Sequence, residues 1–148
     1  MGYALLAGNE LLYHGVKVFT NRQSPHENLK EGGKAILSLI NHLKPTVMAV
    51  EKTFLGKNRK AALLNVFADE IVAIGKRKGL QVVRYAPSTI KKFICGHGWA
   101  DKLAVANMVV FKYPQLRAYL VYDRKWKALH HANMFDAVAL GLLALEEI

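Results

Sequence analysis

Two carboxylates stand in apolar surroundings far apart in the chain. Glu51 follows the run Thr46-Val47-Met48-Ala49-Val50, and Asp136 lies near the start of Asn133-Met134-Phe135-Asp136-Ala137-Val138-Ala139-Leu140-Gly141-Leu142-Leu143. An unpaired carboxylate in such company is costly. It is tolerated where something positive binds it, and a divalent metal is the usual candidate. The rest of the 148-residue chain is strongly basic, with a formal net charge of +10 and a pI near 9.8. Such a balance favours polyanion partners, nucleic acid first. Acid in the core with base on the surface is what a metal-dependent nuclease needs.

Each candidate also has a plainer account. Glu51 at a strand end can pair with Lys52 or Lys57. Asp136 can be a first-turn residue favoured by the helix dipole, a term of only ~0.3–1 kcal/mol. Asn133, three residues earlier, shares a helix face with Asp136, or it can be an N-cap. His130 and His131 could be metal ligands, but adjacent histidines rarely face one site together. The basic residues come in groups: Lys57, Arg59 and Lys60 after Phe54; Lys91 and Lys92 on a short helix, with Lys102 starting the next; and Arg124, Lys125 and Lys127 around Trp126. Any one group can be a solvated face. Three in one small basic chain, two with an aromatic beside them, favour a nucleic-acid surface.

The elements that must position these residues follow from periodicity. Met1 to Leu6 and Glu10 to Phe19 read as strands around a Gly8-Asn9 turn. Asn21 to Glu27, with Pro25, reads as a loop. Leu29, Ile36, Leu37, Ile40 and Leu43 predict a helix over 27–43, with Gly32-Gly33 a soft spot and Pro45 the stop. Thr46 to Val50 is apolar throughout, as in a strand buried on both faces. A helix over 57–78 carries Ala61, Leu64, Phe67, Ile71 and Ile74 on one face and ends at Gly79. Leu80 to Tyr85 is a strand. Pro87 opens a short helix to Cys95, and Gly96-His97-Gly98 breaks it. A helix over 100–112 turns Leu103, Ala106, Val109 and Val110 inward. Tyr113 to His131 is irregular or mixed, and Ala132 to Glu146 is the last helix. This order implies one α/β domain over 1–148, its sheet part antiparallel and part parallel. Active sites of open α/β sheets gather at the carboxyl ends of parallel strands, where Glu51 lies. No run reaches the ~20 apolar residues needed to span a bilayer, and no signal peptide is evident. Cys95 is the only cysteine, which rules out an internal disulfide and suits a reducing cytoplasm.

Taken together, these segments resemble the RuvC-type Holliday junction resolvases of the ribonuclease H-like superfamily. Gly2-Tyr3-Ala4-Leu5-Leu6 resembles the family's second strand, and Lys44 to Glu51 the segment that ends in its catalytic glutamate. Phe54 resembles the aromatic that follows this glutamate by three and contacts junction bases. Tyr85-Ala86-Pro87-Ser88 to Lys91 resembles a strand-to-helix turn, Gly96 to Lys102 the next basic segment, and Asp136 to Leu142 the closing helix. The resemblance implies a ribonuclease H-like mixed sheet flanked by helices and hydrolysis of phosphodiesters on branched DNA, the four-way junction. It implies Mg²⁺, with Mn²⁺ as an alternative, held by Glu51, Asp136 and Asn133. Lys91 and Lys102 would stand near the active centre. Phe54, Lys57, Arg59, Lys60, Lys92, Arg124, Lys125, Trp126 and Lys127 would bind DNA. A cytoplasmic homodimer without a membrane segment is also implied.

There are departures. The family's first strand and its aspartate have no counterpart before Gly2, so a chain shortened at its amino end is expected, with its activity left open. Asn133 stands where the family has Asp or His. Tyr113 to His131 is longer than the usual connection. Two rival readings follow: a non-catalytic relative that binds branched DNA, and another ribonuclease H-like nuclease of a phage or transposon.

Overall fold

The computed structural model describes residues 1–19, 23–52, 59–125 and 128–148; for Arg59 to Ala61 and Ala128 it describes the backbone alone. Among the described residues the strands form three two-stranded sheets, and the chain divides into two compact units, Met1–Lys17 with Pro87–Ile148 and, between them in sequence, Val18–Ala86.

The inserted unit begins with α1 (Pro25–Leu43), whose start is set by a reciprocal cap: the Glu27 amide donates to Ser24 Oγ, and the Ser24 amide donates to the Glu27 carboxylate, both at 3.2 Å. Pro25, expected in a loop, is the first helical residue. That position needs no amide hydrogen, and its φ suits proline. Lys44 ends the helix in the left-handed region at φ 49°. β3 (Val47–Glu51) follows, then α2 (Arg59–Arg77) and β4 (Gln81–Tyr85). β3 and β4 pair in parallel from Val47 opposite Gln81 to Glu51 opposite Tyr85. α2 packs on α1 and on both strands.

Three expectations change here. Gly32 is not a soft spot, because a Cβ there would lie 2.2 Å from the Phe67 ring. The glycine is where α2 seats an aromatic against α1. Leu64 does not point inward: Leu63, Leu64 and Val66 are 40%, 54% and 51% exposed, while Ala68 and Ile74 are buried. Among the described residues, the later turns of α2 are the ones that find a neighbouring surface. β3 is half-buried along Val47–Val50 rather than buried on both faces; among the described residues it pairs with β4 alone.

The other unit is built on α5 (Ala132–Glu147), which packs on the antiparallel hairpin of β1 (Gly2–Ala7) and β2 (Glu10–Val16), and on α3 (Pro87–Cys95) and α4 (Lys102–Lys112). Phe135, Met134, Val138, Val105, Val109 and Leu116 are almost fully buried. Burying each such side chain stabilises by ~1.5–3 kcal/mol. Leu116 comes from a 3₁₀ turn, Pro114–Tyr119, in the segment expected to be mixed; a short hairpin of β5 (Tyr122–Asp123) and β6 (Ala128–Leu129) completes that segment. Leu103, expected inward, is half-buried.

Two glycines bring α5 onto β1. A Cβ on Gly2 would fall 2.0 Å from the Asn133 carbonyl oxygen, and one on Gly141 would fall 2.5 Å from Leu6 Cδ1. The first obstacle is backbone and cannot yield, whereas the second is the end of a flexible side chain. Gly2→Ala is therefore expected to lower the urea midpoint by an overpacking cost of ~1–3 kcal/mol. Gly141→Ala should stay near neutral, since helix propensity returns ~1 kcal/mol. Equal losses in the two variants would contradict this packing.

Tyr113, 5% exposed, ties the end of α4 to the β1–β2 turn by donating its hydroxyl to the Asn9 carbonyl at 3.0 Å. Burial raises its pKa above the ordinary 10.0. A raised folded value means the stabilisation is whole below pH ~10 and is lost as pH climbs through the folded value. Tyr113→Phe should cost ~0.5–1.5 kcal/mol at pH 7. Its disadvantage should shrink in urea titrations run above pH 10, and a constant gap up to pH 11.5 would exclude this linkage.

Candidate active site and nucleic-acid interface

A polar contact between helices joins α4 to α5. Asp101 caps α4, its side chain accepting from the Ala104 amide at 2.7 Å. That cap fixes Lys102 at the first helical position. Its ammonium donates to Asp136 Oδ2, with the two side chains 57% and 22% exposed. Asp136 is thus not an unpaired acid, and it is not fully buried. It is also not a dipole residue: the N-cap of α5 is His131, which puts Asp136 beyond the first turn. The same boundary removes Asn133 from the capping role. Asn133 is exposed in the first turn, on Asp136's face of the helix.

His131 has an aromatic neighbour. Its ring meets Tyr119 edge-on with centroids 5.3 Å apart, and His14 meets the same tyrosine at 5.2 Å. Neither Tyr119 nor His14 carried a signal in the sequence, because one lies in the irregular segment and the other on a strand with no chemical motif. Burial and the Asp101 carboxylate raise the pKa of Cys95, which keeps it a thiol.

Lys91 is half-buried on α3, which packs on both α4 and α5, and Lys92 is exposed. Arg124 and Lys125 are exposed after β5, where the Lys125 amide donates to Asp123 at 2.9 Å. Glu51 is exposed at the carboxyl end of β3, and the next amide, Lys52, donates to the Tyr85 carbonyl at 2.8 Å. Phe54, Lys57, Trp126 and Lys127 lie outside the described residues, as do the side chains of Arg59 and Lys60.

Among the described residues, no three of His, Cys, Asp and Glu gather as a metal set. The donor chemistry around Asp136 still suits a hard cation. Mg²⁺ is commonly held by one or two carboxylates, with water and substrate phosphate completing its shell. Asp136 would supply the charge and Asn133 a neutral oxygen, with Lys102 displaced from the carboxylate.

The architecture is ribonuclease H-like. The Thermus thermophilus RuvC structure matches it with a TM-score of 0.69 over 99% of this chain and 87% of that one, at 20% identity; T. thermophilus RuvC in complex with Holliday junction substrate matches with 0.70. The family model described as Crossover junction endodeoxyribonuclease RuvC matches residues 2–140. Proteins of that description from Parvibaculum lavamentivorans and Vibrio atlanticus are 31% and 30% identical, over 93% and 89% of this chain and 83% and 80% of theirs. The chain belongs to the RuvC family, whose members are metal-dependent endonucleases. It spans 56% of the length of the Methylobacterium radiotolerans relative, at 34% identity, and 60% of the Chlorobium phaeovibrioides one.

The ion pair is a small term for the fold. Partly exposed pairs contribute ~0–1 kcal/mol. Lys102→Met should thus move the unfolding free energy by less than about 1 kcal/mol, whereas Phe135→Ala one residue from Asp136 should cost ~3–5 kcal/mol. Urea melts of the two variants decide whether the pair is kept for the fold.

Proposed function

We propose that this chain is a Holliday junction resolvase-like endonuclease that hydrolyses phosphodiesters of branched DNA with Mg²⁺, or Mn²⁺ in its place. The observation that carries the reading is the Lys102–Asp136 pair on a basic protein of the RuvC family. An accessible carboxylate and an ammonium side by side offer one group for a cation and one for phosphate oxygens.

Asp136 and Asn133 would hold the metal, which when bound polarises the phosphodiester and lowers the pKa of water; Glu51, at the end of β3, is the further carboxylate that the family resemblance offers. The protein's own groups divide the rest of the work. In the resting pair, Lys102 neutralises Asp136. With substrate present, its ammonium can turn to a non-bridging phosphate oxygen and balance the charge that builds there. Lys91 would add a second cation. Water oxygen bonds to phosphorus, the P–O3′ bond breaks, and its electron pair leaves with O3′, which gains a proton. Lys92, Arg124 and Lys125 would hold duplex arms by their phosphates, with Lys57, Arg59, Lys60 and Lys127. Phe54 and Trp126 would stack on bases.

Symmetric cutting of a four-way junction needs two sites, so the working form would be a homodimer. The open apolar positions Leu63, Leu64 and Val66 on α2 support this. A single cytoplasmic domain over 1–148 completes the reading; no helix among the described residues is long and apolar enough to cross a membrane. A second reading, a non-catalytic binder of branched DNA, draws on the same ion pair, since Lys102 already satisfies Asp136.

The test is a cleavage assay on a four-way junction with Mg²⁺ and with Mn²⁺. Asp136→Asn should lower cleavage at least about a hundredfold, and Lys102→Ala should lower it by ~10²–10³. Both should retain binding. Tight binding with no cleavage by the unaltered chain would select the second reading, and failure to bind the junction would overturn both.

A further inference from the structure

Trp99 takes no part in the core or in the site described above. It is 83% exposed, while its neighbour Ala100 is 3% exposed. The loop that carries it is fixed at both ends. Gly96 leaves α3 at φ +87° with its amide donating to the Lys92 carbonyl at 2.9 Å, and Asp101 caps α4 two residues after Trp99.

The indole is held in place despite its exposure. The His97 imidazole lies against it with ring centroids 4.6 Å apart and planes 28° apart. Among the described residues nothing hydrogen-bonds the buried Nδ1 of His97. An unsatisfied buried nitrogen is a cost, and the position it maintains is the parallel stack on Trp99. One face of the indole is covered by an imidazole, and the ring as a whole stands open to solvent.

The surroundings are cationic. Lys102 is three residues away, a reach of at most ~11 Å along the chain. The exposed Lys92 lies in the last turn of α3, just before the loop. An ordered, exposed aromatic face beside ammonium groups is the recognition chemistry of an unpaired base: the π-face stacks and the cations take the phosphates. A base inside a duplex already stacks on both sides and has no face to offer.

The geometry points to Trp99 as a stacking platform for an unpaired nucleobase of branched DNA. This rests on the branched-DNA reading above and adds a contact that phosphate recognition alone does not supply.

The test has two arms. In the natural chain, Trp99→Ala should weaken four-way junction binding about tenfold, within the range that one base–aromatic stack supplies, and leave linear-duplex binding unchanged. The slope of log affinity against log salt should not move, because no charge is lost. Trp99→Phe should recover most of the loss. In the second arm, the tryptophan emission of the unaltered chain is compared with that of Trp99→Phe; the part of the emission that Trp99→Phe lacks should be quenched by a saturating junction and not by a saturating duplex. Equal quenching by both, or Trp99→Ala binding the junction as tightly as the unaltered chain, would overturn the assignment while leaving the resolvase reading intact. A Trp99→Ala chain that changes its sedimentation without DNA, with junction affinity kept, would instead assign the ring to contact between copies. If the unaltered chain binds no junction, the reading beneath this one fails first.

Discussion

The close approach of α5 to β1 is the constraint on which the hairpin-bearing unit depends. Gly2 meets the Asn133 carbonyl at a distance that no side chain could occupy, and Gly141 meets Leu6 further along the helix. With both contacts in place, the apolar body of α5 can bury Phe135, Met134, Val138 and Leu142. Its amino-terminal turns are then fixed against the hairpin, because the glycine contact falls at Asn133, one turn before Asp136. Packing therefore does the positioning. The ion pair adds direction to the Asp136 carboxylate but contributes little to holding the helix.

α4 is placed by complementary means. The Asp101 cap sets where the helix begins, the burial of Val105, Val109 and Leu116 sets its depth, and the Tyr113 hydroxyl anchors its far end to the β1–β2 turn. A lysine at the first position of such a helix cannot drift far. Its long stem can still swing, as 57% exposure of the side chain allows. A fixed base with a mobile ammonium is what the proposed reading asks of Lys102, which would pair with the carboxylate at rest and with a phosphate when DNA is bound.

Much of this was legible in the sequence. The strand pair β1 and β2 around Gly8-Asn9, the apolar run of α5, and the Pro87–Cys95 helix follow from period and punctuation, which local sterics enforce. The ribonuclease H-like class and the family followed from the order of five weak segments. What did not show was of two physical kinds. Pro25 looked like a loop residue because proline breaks helices everywhere except their first turn. Leu64 looked inward because a hydrophobic stripe marks the face that can be buried, without saying how far along the helix a partner extends. The candidate site has the same limit. Asp136 and Lys102 were each visible as candidates, but their contact depends on how α4 crosses α5. Periodicity within one helix carries no such information.

That contact also changes what the two carboxylates mean. From sequence, an acid amid apolar residues demanded a cation to offset its desolvation. In the fold, Asp136 keeps part of its side chain in water and finds its cation in Lys102, while Glu51 is exposed at a strand end. Neither acid needs a metal for the folded state to be tolerable. On the proposed reading, affinity for a metal would therefore come from the donor oxygens together with the phosphate of bound DNA. A site of that kind would load best with DNA already in place. The surplus of positive charge would then act before the carboxylates: it would gather the polyanion, whose phosphates would compete with Asp136 for Lys102 and bring the oxygens that complete a cation's shell.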